Sequence, residues 1–405
     1  MQINRDRSRL TFRTRRRRRS GCLPLAMLLI VLMGVVAVSW EWISQRLHIG
    51  SILQSEGDLD SAQAAFDRGD LDASIELTRQ LWAAQPRQTD ALLLLVRALI
   101  YRSYADYDRE VDREMALQWT SEALERFTHD GSSEGDLDVM AIHAFALQAA
   151  DDSVSAARFA GNVLAIDPNH ILARVVLGLS YGGVGSHDTA LRENQIAAAG
   201  SVWQMDAQRA LAISYSDLGR YDEAVIAVER AIALNDHLIP LYYERALYAM
   251  QLGDADAATV AYFRVLAFEP NNVKARLRLC ELSSLLRERD AATRYCQEVT
   301  RLAPTWSDGW YQLGREYFLQ GQFAAAQASL NRCSSLQVMQ SVPILQRRFE
   351  CWYLQGQAAE ILGDCDSLLA TYNEFREMAA SAALPQTWTY PPEGPAVCLD
   401  GSSSN

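Results

Sequence analysis

Lysine is almost absent from this chain of 405 residues: Lys274 is the sole one, and arginine supplies the rest of the positive charge. Histidine is sparse as well. His48, His129, His143, His170, His187 and His237 are scattered, and no two make a metal-ligand spacing. No glycine-rich phosphate loop and no nucleophile elbow occurs. Adjacent acids such as Asp151 and Asp152 stand at helix starts, where they complement the helix dipole. These absences argue against an enzyme and against a bound cofactor or metal. The lack of any Asn-x-Ser/Thr acceptor favours a bacterial envelope over a glycosylating secretory route. Proline is rare until the last stretch, and the alanine-rich remainder reads as helix almost throughout.

The net charge of -12 hides an asymmetry. Arg5, Arg7, Arg9, Arg13 and Arg15 to Arg19 oppose only Asp6 in residues 1–20, a basic tail followed by an acidic body. An acidic body disfavours nucleic acid, whose phosphates need basic clusters. From Cys22 to Trp40 the chain carries no charge, and about twenty apolar residues suffice to cross the hydrocarbon core. Trp40 and Trp42 stand at the far end, where interfacial aromatics belong, and the arginines hold the near end in the cytoplasm. Residues 21–42 therefore read as a single-pass signal-anchor, with a stalk over 43–55 and the bulk of the chain extracytoplasmic. A second reading stands beside it. Ala37 and Ser39 satisfy the small-x-small rule, so a peptidase could cut before Trp40.

Beyond the stalk the chain repeats itself. Ala212, Ala246, Cys280 and Gly314 recur in steps of 34 residues, and so do Ala224, Ala258, Ala292 and Ala326. Turn glycines fall at Gly219, Gly253 and Gly321, with Arg287 the exception, and Pro270 and Pro304 lie one period apart. Small side chains let two antiparallel helices cross closely, glycine supplies a left-handed residue at the turn, and proline stops the second helix. This pattern resembles the tetratricopeptide repeat, a helix–turn–helix unit of that period. The resemblance implies an all-α, right-handed superhelical solenoid of about nine such pairs behind one transmembrane helix. Pairs with an insertion, "YADYDREVD", occupy 56–130, where the insertion extends a hairpin or bulges from an edge. The main array spans 131–340, opening on a polar loop at Gly131 to Gly135 read as a seam. An atypical capping pair fills 341–383, and residues 384–405 form a proline-rich tail.

The functional expectation is a scaffold that holds a protein or peptide in the groove lined by the first helices. The second, fifth, ninth and twelfth residues of each such helix should face it: Val175, Leu179, Arg209, Ile213, Tyr243, Leu247, Met250, Leu277, Glu281, Tyr311, Arg315 and Phe318. Tyr243 and Tyr311 should project freely, whereas Tyr215 and Tyr317 should pack between helices. The carboxylate-holding clamp of chaperone-binding relatives is not carried over, because Lys274 stands alone. The alternative is an accessory subunit of an envelope enzyme, secretion or cytochrome-maturation complex that works through an edge or the tail.

Six cysteines lie beyond Cys22, an even number in a compartment where disulfides persist. Helix geometry favours Cys280 with Cys296 and Cys333 with Cys351, and Cys365 with Cys398 to tie down the tail. Fifteen connectivities are open to six cysteines. Small residues serving helix contact, as at Cys280 and Cys333, explain them equally well.

Overall fold

The computed structural model describes residues 49–107, 109–130, 135–200, 204–381 and Cys398. The basic run, the apolar segment to residue 42, the loop over 131–134 and nearly all of the tail lie outside the described residues. The expected transmembrane helix and the seam therefore gain no support here. Among the described residues every regular element is helical, with no strand, and no helix is long and apolar enough to cross a membrane.

Among the described residues eighteen α-helices follow one another in nine pairs. The first four pairs are α1 (Ile49–Asp67) with α2 (Leu71–Ala84), α3 (Thr89–Ala105) with α4 (Val111–Asp130), α5 (Gly135–Ala149) with α6 (Ser153–Ile166), and α7 (Ile171–Gly183) with α8 (His187–Gly200). Then come α9 (Met205–Asp217) with α10 (Tyr221–Leu234), α11 (Ile239–Gln251) with α12 (Ala255–Phe268), and α13 (Val273–Leu285) with α14 (Arg289–Leu302). The last two are α15 (Ser307–Leu319) with α16 (Phe323–Met339) and α17 (Glu350–Leu362) with α18 (Cys365–Ser381). A 3-10 turn at Ile344–Gln346 occupies the extra residues before α17.

One turn design joins the two helices of each central pair. Gly219 and Gly253 sit at φ 70° and 80°, and the next backbone amide reaches back five residues: Arg220 N to Tyr215 O and Asp254 N to Ala249 O, each 2.9 Å. This left-handed closure satisfies carbonyls that the ending helix leaves unpaired. Arg287 and Asp151 adopt the same conformation without being glycine, at φ 62° and 66°. The turn is thus preserved where its usual residue is not. In two of these turns the residue after it caps the second helix: Asp152 and Asp254 accept from Ser155 N and Ala257 N.

Both small-residue series lie in the helix crossings. Ala212, Ala246, Cys280, Ala224, Ala258, Ala292 and Ala326 are fully buried. At Gly314 the approach is closer still, since a Cβ there would stand 2.6 Å from Leu330 Cγ.

Helix α3 departs from this pattern and reshapes the molecule. Its sequence, TDALLLLVRALIYRSYA, is apolar on nearly every face, and a helix apolar all round must be covered all round. Within the unit from Leu59 onward, α3 packs not only on α2, α4 and α5 but also across the array on α11. The Tyr101 hydroxyl donates to Asp206 Oδ1 on α9 at 2.7 Å, and Arg97 lies 2.9 Å from the same carboxylate. The second pair therefore reaches the fifth, sixth and seventh. The insertion accordingly turns inward instead of extending a hairpin or bulging from an edge, because its leading helix has nowhere else to bury its second apolar face.

Candidate protein-binding face

Helices α9, α11, α13 and α15 present their inner sides to one surface, and α3 with the residues after it crosses that surface. The crossing divides it into three cavities that all touch Lys274.

The crossing is built from a few side chains. Asn272 caps α13 by accepting Ala275 N at 2.9 Å, and its amide donates to Ala105 O at 3.0 Å. Lys274 Nζ donates to Tyr104 O at 2.7 Å. Asp106 accepts from the amide of Lys274 at 2.9 Å, so its charge meets the positive end of α13. Tyr107 stacks on Trp306 with ring centroids 4.8 Å apart. Burial, together with Arg278, pushes the Lys274 amine down to about 8, against the pull of Asp106.

On one side of the crossing lies a cavity of about 430 Å³, where Leu179, Arg209, Ile213 and Tyr104 meet. Arg209 is committed there: it pairs with Glu244 at 2.6 Å and covers the ring of Tyr101 at 5.3 Å. Burial raises the Glu244 carboxyl although Arg209 opposes it, and the carboxylate's Oε2 is buried without a hydrogen bond. Under the insertion, a third cavity of about 330 Å³ holds Tyr107, Leu277, Trp306 and Arg348.

The open part of the face is a cavity of about 610 Å³. It brings together Tyr243, Leu247, Met250, Glu281 and Arg315 of the residues expected from sequence, with Tyr262, Arg278 and Leu285 beside them. Leu247 is 51% exposed and Leu285 67%. Arg278 pairs with Glu281 at 2.6 Å, and Gln312 donates to the other oxygen of that carboxylate at 3.1 Å. The floor is therefore apolar with an organised charged edge.

Other expected residues are placed differently. Val175 is buried, and Leu277 is buried beneath Tyr107 and Trp306. Phe318 packs edge-on against Phe323 at 5.3 Å, and Tyr311 lies under the Arg348 guanidinium at 4.6 Å. Tyr243 does not project freely: its hydroxyl donates to Asn272 Oδ1 at 2.7 Å, and Lys274 lies 4.7 Å over its ring. Tyr215 and Tyr317 pack only halfway, each hydroxyl reached by a glutamine at the surface. Among the described residues the fully covered tyrosines are Tyr101 and Tyr248. Sequence reasoning missed Asp106, Tyr107, Asn272 and Trp306. The all-round apolar α3 followed by a tyrosine- and acid-rich insertion was the available signal.

The six cysteines form three bridges: Cys280 to Cys296, Cys333 to Cys351 and Cys365 to Cys398, with Cα atoms 5.4, 6.0 and 5.5 Å apart. A larger cavity, about 680 Å³, lies between α16 and α18. Its lining is mostly small and amide side chains, with Glu374 its one charge, already bonded to Trp352 at 2.8 Å.

The tetratricopeptide repeat pattern matches residues 210–237 and 307–337, so the chain carries tetratricopeptide repeats. No curated protein matches the chain. Among solved structures it is similar to a chain of the APC/C hetero-tetramer Cut9–Hcn1, at 17% identity and a TM-score of 0.52, covering 77% of this chain and 57% of that one. It thus spans little more than half of that relative, and the likeness is one of fold. PilW, a widely conserved type IV pilus biogenesis factor, matches at 17% identity and a TM-score of 0.45, over 52% of this chain and 96% of its own. YrrB, a tetratricopeptide protein with an unusual peptide-binding site, matches at 17% identity and a TM-score of 0.35, over 44% and 92%.

Proposed function

We propose that this protein is a membrane-anchored, extracytoplasmic scaffold that holds a protein or peptide partner on the face of α11, α13 and α15. Tetratricopeptide arrays are typically interaction scaffolds and not enzymes. The observation that carries the reading is the open cavity, where exposed Leu247 and Leu285 stand over a floor edged by Arg278, Glu281 and Arg315. Interfaces concentrate their energy in such central apolar positions ringed by polar groups. Both leucines are exposed, so replacing them leaves the helix crossings intact. The location rests on sequence: the charge-free stretch from Cys22 to Trp40 and the arginines before it.

One experiment on intact membranes addresses both parts. The chain should remain in the membrane fraction and be degraded by protease added from outside. Partner capture from solubilised membranes should fall at least tenfold for Leu247→Asp with Leu285→Asp, with an unchanged helical spectrum. A soluble product starting at Trp40 would refute the anchor, and undiminished capture by the folded double variant would refute the face.

A further inference from the structure

The last two residues of α3, Tyr104 and Ala105, and the two after it, Asp106 and Tyr107, lie on the face of pairs six to eight. Two successive carbonyls, of Tyr104 and Ala105, accept from Lys274 Nζ and Asn272 Nδ2. The next side chain, Asp106, sits on the amides that open α13, and the one after, Tyr107, stacks on Trp306. Main-chain carbonyls held by side-chain donors, a carboxylate at a helix start and an aromatic on an aromatic are elements of peptide recognition. The two carbonyls belong to the last turn of α3, which ends at Ala105, whereas Asp106 and Tyr107 lie beyond the helix. Asn272 is 1% exposed and bonds Glu269 at 2.9 Å besides Ala105, Tyr243 and Ala275, so the receiving side is rigid independently of what it receives.

We propose that residues 104–107 are an intramolecular occupant of a second docking site on this face, and that the partner the site fits is a protein segment carrying an acidic residue followed directly by an aromatic one. The tethered segment faces its site at a high effective concentration, so it masks the site until a competing segment displaces it. The masked site adjoins the open cavity through Lys274, which lines both. A partner seated on Leu247 and Leu285 could then extend into it. The inference goes beyond the docking face proposed above, and it has a separate readout because neither leucine is altered in its test.

The probe is a fluorescein-labelled peptide with the sequence of residues 101–110, titrated against the full chain. Asp106→Ala with Tyr107→Ala vacates the α13 amides and the Trp306 ring while leaving Asn272, Lys274 and Trp306 in place. The peptide should bind this double variant at least tenfold more tightly than the wild-type chain. Adding Trp306→Ala, or replacing the Asp106 equivalent in the peptide by alanine, should abolish the gain. Equal affinity for both chains, or no binding to a double variant with native helical content, would overturn the proposal. Loss of helical content in the double variant would do the same, by showing that the segment belongs to the core. Sedimentation supplies the last arm: if the wild-type chain pairs and the double variant does not, the segment's seat is on a second copy and the intramolecular reading fails.

Discussion

At the residue scale, the turn after each first helix shows how geometry outlasts its preferred residue. Six equivalent turns from Asp151 to Gly321 share the left-handed conformation, although two of them lack glycine. For an L-residue this region costs about 1–2 kcal/mol, partly offset because glycine loses more chain entropy on folding. Arg287→Gly should therefore raise stability by roughly 0.5–1 kcal/mol, read as a higher urea midpoint at unchanged slope. Asp151→Gly should gain less, since aspartate tolerates the conformation better. A drop in the Arg287→Gly midpoint would mean that the arginine makes a contact worth more than the strain. The same scale exposes the limit of position counting. Tyr243 sits at a groove position by spacing, yet Asn272 and Lys274 bind it, and nothing in its own repeat announces either partner.

At the scale of elements, what was legible is what is local. The crossings at Ala246 and Ala258 and the turn at Gly253 follow from contacts within one period, so the 34-residue spacing exposes them directly. Helix α3 was legible as a helix but not in its placement. Tyr101 meets Asp206 105 residues on, and Lys274 meets Tyr104 across 170. Such contacts depend on small rotations accumulated over several pairs, which no single repeat encodes. The bridges fall between these cases. Cys280 with Cys296 joins α13 to α14 across a separation of 16, and Cys280 also fills the small-residue position of its crossing, so the two readings of the cysteines are compatible. Non-reducing peptide mapping should find the three pairings seen here. Closing a loop of that length contributes about 3 kcal/mol in the chain-entropy model, so reduction should lower the melting temperature. Full labelling of Cys280 and Cys296 without denaturant would contradict it.

At the scale of the array, pairs five to eight supply one surface, and the chain uses part of it on itself. Segment 104–107 covers the floor at Leu277, while Leu247 and Leu285 stay open. Nine of the twelve expected groove residues consequently divide among three cavities instead of one continuous trough, while Val175, Tyr311 and Phe318 line none of the three. Composition spoke to the class of the body, an acidic helical array without a metal-ligand or phosphate-loop motif. It was silent on this division, because covering depends on where α3 lands. The most direct test is site-specific photocrosslinking in intact membranes. A photoreactive residue at 247 or 285 faces the open cavity, whereas one at Val260, 63% exposed on α12, does not line it. The account predicts one partner adduct shared by positions 247 and 285 and none from 260. An adduct from 260 with none from the other two would place the partner elsewhere and contradict it.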